Sequence, residues 1–159
     1  MAFFVVTPED AGHAEDPGGA SLPLVVFDTW LGDDLVRAHP VFLVSARLKD
    51  TLDVLPEPTG FRSLRIRTKP SRFMRGLRPE LRLPTFWALE ISGQAGVHPL
   101  GLAQDGSLVV SQAGLDCLVR HSIPHAQLSQ FVPAVGAPDG AWPAGTEDGA
   151  AERAGTSRP

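Results

Sequence analysis

Three carboxylates lie close together in the first quarter of the chain: Asp28, Asp33 and Asp34. Carboxylate oxygens can bind a divalent cation or act as general acids and bases. Negative charge next to a helix start also interacts favourably with the orphan backbone N–H groups, and this requires no function. We favour this structural explanation, and we predict neither a catalytic residue nor a metal ligand from the cluster.

The histidines and the one cysteine give no stronger signal for catalysis. His121 and His125 are four residues apart, but Pro124 ends any helix that would place them on one face. Cys117 falls inside a predicted helix, where a small buried apolar residue is the usual finding, and no activating base can be identified for it. The sequence therefore predicts a protein that is not an enzyme and that has no cofactor.

The strongest charge feature is the stretch 61–83, referred to below as the arginine stretch. It contains eight basic residues and one acidic residue, a local net charge of +7 in a chain whose net charge is −4. The basic residues are Arg62, Arg65, Arg67, Lys69, Arg72, Arg75, Arg78 and Arg82. Three interpretations stay open: neutralisation of the chain's own acidic loops, binding of an acidic protein surface, or binding of nucleic acid with Phe73, Phe86 and Trp87 stacking on bases.

Composition restricts the class of protein. Of the 159 residues, 43% are hydrophobic and 20% are charged, as in globular domains. The longest apolar runs are too short for a membrane span of ~20 residues, no signal peptide is recognisable, and the single cysteine excludes an internal disulfide. We expect one domain over 1–132, a disordered Pro/Gly/Ala-rich tail over 133–159, and a cytoplasmic location.

Hydrophobic periodicity predicts an α+β fold with a mainly antiparallel sheet and two helices that begin after Ser45 and Ser111. Each of these serines ends an apolar run and precedes leucines at helical spacing. The predicted strands are 2–7, 22–27, 41–44, 61–67 (with a bulge), 85–92, 99–103, 107–110 and 126–131. The predicted helices are 46–55 and 112–121, with a surface loop over 8–20 and a short helix or turn over 28–38.

Four segments together resemble a family of small bacterial proteins. These are 27–35 (FDTWLGDDL), 40–48 (PVFLVSARL), 86–93 (FWALEISG) and 108–115 (LVVSQAGL). The family is similar to immunity-type domains of polymorphic toxin systems, including myxobacterial ones, and the resemblance extends over about residues 20 to 131. It implies a non-enzymatic protein that binds and blocks a cognate toxin.

We therefore predict a protein-binding module, with a nucleic-acid-binding regulator that uses the stretch Arg62–Arg82 as the alternative. Interfaces are enriched in Trp and Arg. The predicted partner-binding residues are Trp30, Asp33, Asp34, Arg65, Arg67, Arg72, Arg75 and Trp87. The partner would be a protein toxin, with nucleic acid less favoured and no membrane involved.

Overall fold

The computed structural model describes residues 2–15 and 22–133. The strands in these residues are β1 (Phe3–Thr7), β2 (Glu9–Glu15), β3 (Leu24–Phe27), β4 (Leu35–His39), β5 (Val41–Ser45), β6 (Phe61–Arg65), β7 (Arg67–Pro70), β8 (Phe86–Ile91), β9 (Leu100–Leu102), β10 (Leu108–Ser111) and β11 (Gln127–Gln130). The helices are α1 (Ala46–Leu52), α2 (Arg72–Leu77) and α3 (Gln112–Val119).

The fold is α+β, as predicted, but the strands form two sheets where one was predicted. The smaller sheet has the order β11-β1-β10-β9 and the larger one β6-β8-β5-β4-β2-β3-β7. Seven of the nine strand pairs within the described residues are antiparallel, while β2–β4 and β3–β7 are parallel. No helix in the described part of the chain is long and apolar enough to cross a membrane.

The seven-stranded sheet curls into a nearly closed barrel. Its two edge strands, β6 and β7, are separated in the chain by Ile66 alone. Two residues span at most about 7 Å, whereas the edges of a flat seven-stranded sheet would lie about 29 Å apart. One hydrophobic core accordingly collects side chains from six of the seven strands, including Val25, Val36 and Leu43, and α2 adds Met74 to it. We take this core as the barrel interior.

A second core lies between the outer face of the barrel, the smaller sheet and two helices. Strand alternation divides the residues between the two cores: Val36 enters the barrel interior, and the preceding Leu35 enters the second core. Helices α1 and α3 contact each other there and contribute Leu48 and Leu118.

Two hairpin–helix units build this second core. In the first, β4 pairs with β5 and α1 follows; in the second, β9 pairs with β10 and α3 follows. The N–H of Leu48 donates to Ser45 Oγ (3.4 Å), and the N–H of Gly114 donates to Ser111 Oγ (3.1 Å). Local patterning predicts the whole second unit and the β5–α1 part of the first, because these strand, turn and helix signals lie within about 20 residues of one another; β4 was predicted as a helix or turn.

Three predicted segments need correction, and one helix is missing from the prediction. The predicted surface loop 8–20 contains β2, which is an interior strand of the barrel, and the predicted helix or turn 28–38 contains β4. The single bulged strand 61–67 is two strands on opposite edges of the sheet, and α2 was not predicted. The predicted disordered tail lies, apart from Pro133, outside the described residues.

The composition of β2 explains why its sequence predicts a loop and not a strand. The strand reads EDAGHAE, without a large apolar residue. A Cβ on Gly12 would lie 1.9 Å from the carbonyl oxygen of Val26, so the backbones of β2 and β3 approach too closely for any side chain there. Tight backbone packing therefore selects small residues at positions where a strand pattern would show Val or Ile.

Candidate functional site

The arginine stretch divides into two parts that differ in their contacts. In the first part, on β6, Arg62 forms an ion pair with Glu90. The Arg65 guanidinium lies 5.8 Å from the centre of the Trp87 ring, and the Lys49 ammonium lies 4.7 Å from the same ring. These are cation–π contacts within the chain, so Arg62, Arg65 and Trp87 already have intramolecular partners.

Arg67, the first residue of β7, also has an intramolecular partner. The Arg67 guanidinium donates hydrogen bonds of 3.3 and 3.2 Å to the Leu22 carbonyl oxygen. This contact holds the chain beside the junction between the two edge strands. Arg67, like Arg65, thus contacts the chain at the strand next to its own, while its side chain remains exposed.

The second part of the stretch, on α2, has a different character. Ser71 caps this helix by accepting the Met74 N–H (3.1 Å), and Met74 is the helix residue that enters the core. Phe73 and Leu77, one helical turn apart, are 65% and 67% exposed. Arg72 and Arg75 are exposed beside them, and their side chains form no hydrogen bond or ion pair with any other described residue. We call Arg72, Phe73, Arg75 and Leu77 the α2 surface.

A hydrogen bond links the end of α2 to the β3–β4 connection around Trp30. The Arg78 guanidinium donates to the Trp30 carbonyl oxygen (2.8 Å), and the neighbouring Leu31 is 54% exposed. The Trp30 indole is held from inside: it packs edge-on against Phe86 at 6.0 Å, and its N–H donates to the Asp33 carbonyl oxygen (2.8 Å). This hydrogen bond places the segment with the half-buried Trp30 and with Leu31 beside the end of α2.

Asp34 is buried and serves as a structural acceptor. Its Oδ1 accepts from Ser45 Oγ (2.7 Å) and Arg47 Nε (3.1 Å), while Oδ2 accepts from Arg47 Nη2 (3.0 Å) and the Ser122 N–H (2.9 Å). Burial acts to raise the pKa of Asp34, but the hydrogen bonds from Arg47, Ser45 and Ser122 outweigh it, and the pKa is lowered. The carboxylate ties the β3–β4 connection to α1 and to the segment after α3.

Asp33, also fully buried, makes a second tie to that segment. It accepts hydrogen bonds from the His125 N–H (2.9 Å) and from His125 Nδ1 (2.6 Å). The hydrogen bond with Asp33 raises the pKa of His125, and the charges of Asp33 and Glu9 add to the rise, against the effect of burial. Because their carboxylates face inwards, Asp33 and Asp34 do not belong to the exposed surface around α2.

Glu9 completes a cluster that the sequence analysis missed. Its Oε1 accepts the Leu31 N–H (3.3 Å), and its Oε2 is buried without a hydrogen-bond partner among the described residues. Burial raises the pKa of Glu9; the Leu31 N–H opposes the rise, Asp33 adds to it and His125 opposes it. Single ligand atoms of Glu9, Asp33 and His125 lie within 4.8 Å of one another, so these three residues could hold a metal ion.

Cys117 is buried in the second core, and its thiol is 3.8 Å from the Thr51 carbonyl oxygen. Burial raises the pKa of Cys117, which disfavours the reactive thiolate. His121 hydrogen-bonds Thr51 Oγ1 through Nε2 (2.7 Å) and does not join His125. Thr51 thus links both residues to α1, in contacts that join α1 to α3 and the segment after it.

Comparison of the chain with protein-family models, with characterised proteins and with solved structures finds no match.

Proposed function

We propose that this chain is a non-enzymatic module that binds an acidic protein surface through the α2 surface and the adjacent Leu31. The observation that carries the proposal is the exposure of two large apolar side chains, Phe73 and Leu77, beside Arg72 and Arg75, which have no intramolecular partner among the described residues. The partner class that the sequence resemblance implies is a protein toxin of a polymorphic toxin system.

The chemistry of the α2 surface favours a protein partner. Contiguous exposed apolar groups with a polar rim are typical of interaction sites, and interface hot spots are enriched in aromatic residues and Arg. Arg also makes bidentate hydrogen bonds with carboxylates, which gives orientation as well as attraction. The matching partner surface has Asp or Glu side chains around an apolar centre, so that each exposed leucine or phenylalanine is covered and each guanidinium is paired.

The division of the arginine stretch argues against the nucleic-acid alternative. A non-specific nucleic-acid site requires a basic track with accessible aromatic rings. Here Arg62 is paired with Glu90, Trp87 is contacted by Lys49 and Arg65, and the Phe86 ring is buried. Of the three aromatic rings predicted to stack on bases, Phe73 alone is largely exposed. Two arginines of the stretch without a partner among the described residues, Arg72 and Arg75, lie on one short helix beside exposed apolar side chains, which suits a compact protein contact.

The test is affinity capture of the tagged full chain from its own host after nuclease treatment, followed by reconstitution with the purified partner. We expect one stoichiometric acidic protein whose toxic activity the chain suppresses. The variant Arg72→Glu/Arg75→Glu should weaken the complex by about 100-fold, because like charges then face each other across the interface.

Two results would overturn the proposal. One is recovery of nucleic acid alone when nuclease is omitted, with an affinity that falls steeply as salt rises. The other is a purified protein complex whose Kd is unchanged by the two charge reversals.

A further inference from the structure

We propose that Glu9, Asp33 and His125 form a binding site for a divalent transition cation, with Zn²⁺ as the best-matched ion. The proposal is independent of the α2 surface and of any partner protein. It starts from geometry: three side chains from distant parts of the chain place potential ligand atoms within 4.8 Å of one another.

The second observation concerns the side-chain oxygen Oε2 of Glu9, which accepts no hydrogen bond from any described residue. Glu9 is 9% exposed, and this oxygen lies inside the protein without a donor among the described residues. A buried carboxylate oxygen without a partner is unfavourable, and buried charges in proteins are normally paired or bound to metal ions. A cation between the three residues would give Oε2 the positive partner that the described protein groups do not provide.

The donor set indicates the kind of cation. One imidazole nitrogen and two carboxylate oxygens match Zn²⁺ and its neighbours in the transition series, whereas Ca²⁺ and Mg²⁺ prefer oxygen ligands alone. Two buried carboxylates also supply the negative charge that a divalent ion requires. The His125 side chain is 44% exposed, so the cluster is accessible from solvent and a water molecule can complete the coordination.

Binding would exchange protons for the ion. In the structure His125 Nδ1 and Asp33 Oδ1 share a hydrogen bond of 2.6 Å, and the cation would replace the proton held there. The displaced proton is released to the buffer, and no electron is transferred. The site would join β2, the β3–β4 connection and the segment after α3, which the hydrogen bonds of Asp33 and Glu9 already hold together.

The experiment uses the full chain after treatment with a chelator, titrated with ZnCl₂ alone in a non-coordinating buffer by isothermal calorimetry. We expect one equivalent to bind, with release of protons that is detected in buffers of different ionisation enthalpy. Co²⁺ should bind at the same stoichiometry and give the visible absorption of a low-coordinate N/O site, a readout that needs no variant.

Matched variants separate this site from adventitious histidine binding. Glu9→Gln and His125→Ala should each weaken binding at least 10-fold. His13→Ala is the control, because His13 also lies near two carboxylates, Glu15 at 3.2 Å and Asp28 at 3.8 Å, but in an exposed position. Absence of binding by both ions would overturn the proposal, and so would Zn²⁺ binding that His13→Ala abolishes and Glu9→Gln leaves intact.

Discussion

Replacement of Asp34 by Asn removes the charge of a buried carboxylate and nearly preserves its shape. The carboxylate accepts four hydrogen bonds, two at each oxygen. An asparagine side chain has one acceptor oxygen, and its amide group faces donors in either orientation. If the oxygen stays with Ser45, the Ser122 N–H loses its acceptor; if it turns to Ser122, the Ser45 hydroxyl and Arg47 Nε face an amide.

The expected loss in the free energy of unfolding comes from the buried hydrogen bonds of Asp34. Arg47 is 68% exposed, so water compensates for much of its loss and that contact adds little. A hydrogen bond from a buried donor to a charged acceptor contributes roughly 1.5–3 kcal/mol, and a buried donor left unpaired costs roughly 1–3 kcal/mol. Since the Ser45 hydroxyl can rotate and recover part of this, we expect Asp34→Asn to lower the free energy of unfolding by about 3 kcal/mol. That corresponds to a fall of about 10 °C in Tm.

Urea denaturation followed by tryptophan fluorescence measures the loss, and amide hydrogen exchange at Ser122 reports where it occurs. Arg47→Gln is the matched comparison, because it removes the exposed side of the same ion pair and should cost clearly less. A loss below about 1 kcal/mol for Asp34→Asn, or equal losses for the two variants, would refute the reasoning. The buried hydrogen bonds would then not be the source of the stability.

Four further predictions follow from single features of the structure. Because the folded pKa of Asp34 is lowered, its contribution is present above the unfolded pKa of about 3.9 and disappears as pH falls through the lower folded value; acid unfolding of Asp34→Asn should therefore be less steep below about pH 4. Because the folded pKa of Glu9 is raised, the metal-free protein loses stability as pH rises through that value, and Glu9→Gln should raise Tm at pH 7. Gly12→Ala should destabilise the barrel by more than about 3 kcal/mol or prevent soluble expression, since its Cβ would lie 1.9 Å from the Val26 carbonyl oxygen. Leu77→Ser should change the free energy of unfolding in urea by less than about 0.5 kcal/mol, because Leu77 is 67% exposed.

Sequence reasoning succeeds here where the signals are local. The hairpin of β9 and β10 is predicted by Asp105–Gly106 between two apolar runs, and Gly106 has the positive φ of +85° that such a turn needs. The strand-to-helix turn after β5 is likewise predicted within a few residues. In both cases the residues whose types predict the turn are the same residues that form the turn.

Prediction fails where distant backbones determine the structure. The small residues of β2 reflect the close approach of β3, which no periodicity within β2 can indicate. The strands before and after Ile66 lie at opposite edges of one sheet, which is possible because the barrel closes there. The sequence pattern of 61–67 contains no signal of this closure and therefore predicts a single strand.

The candidate metal cluster is non-local in the same way. The sequence identifies Asp33 as one of three neighbouring carboxylates. The other two residues of the candidate metal site are His125, 92 residues later, and Glu9, 24 residues earlier. The sequence lacks a spacing motif that would connect them. By contrast, Arg72 and Arg75, the predicted partner-binding arginines that are exposed and have no partner among the described residues, lie on one short segment that its charge alone identifies.

The most direct test of the central claim compares two matched double variants in binding to the purified partner. Arg75→Glu/Leu77→Ser changes the α2 surface. Val119→Ser/Arg120→Glu makes the corresponding changes, an exposed aliphatic residue to Ser and an Arg to Glu, at the end of α3, where Val119 is 55% exposed. The account predicts a Kd about 100-fold higher for the first variant and within about 3-fold of the original for the second. Equal Kd values for the two variants would contradict it, because the α2 surface would then not be the binding site.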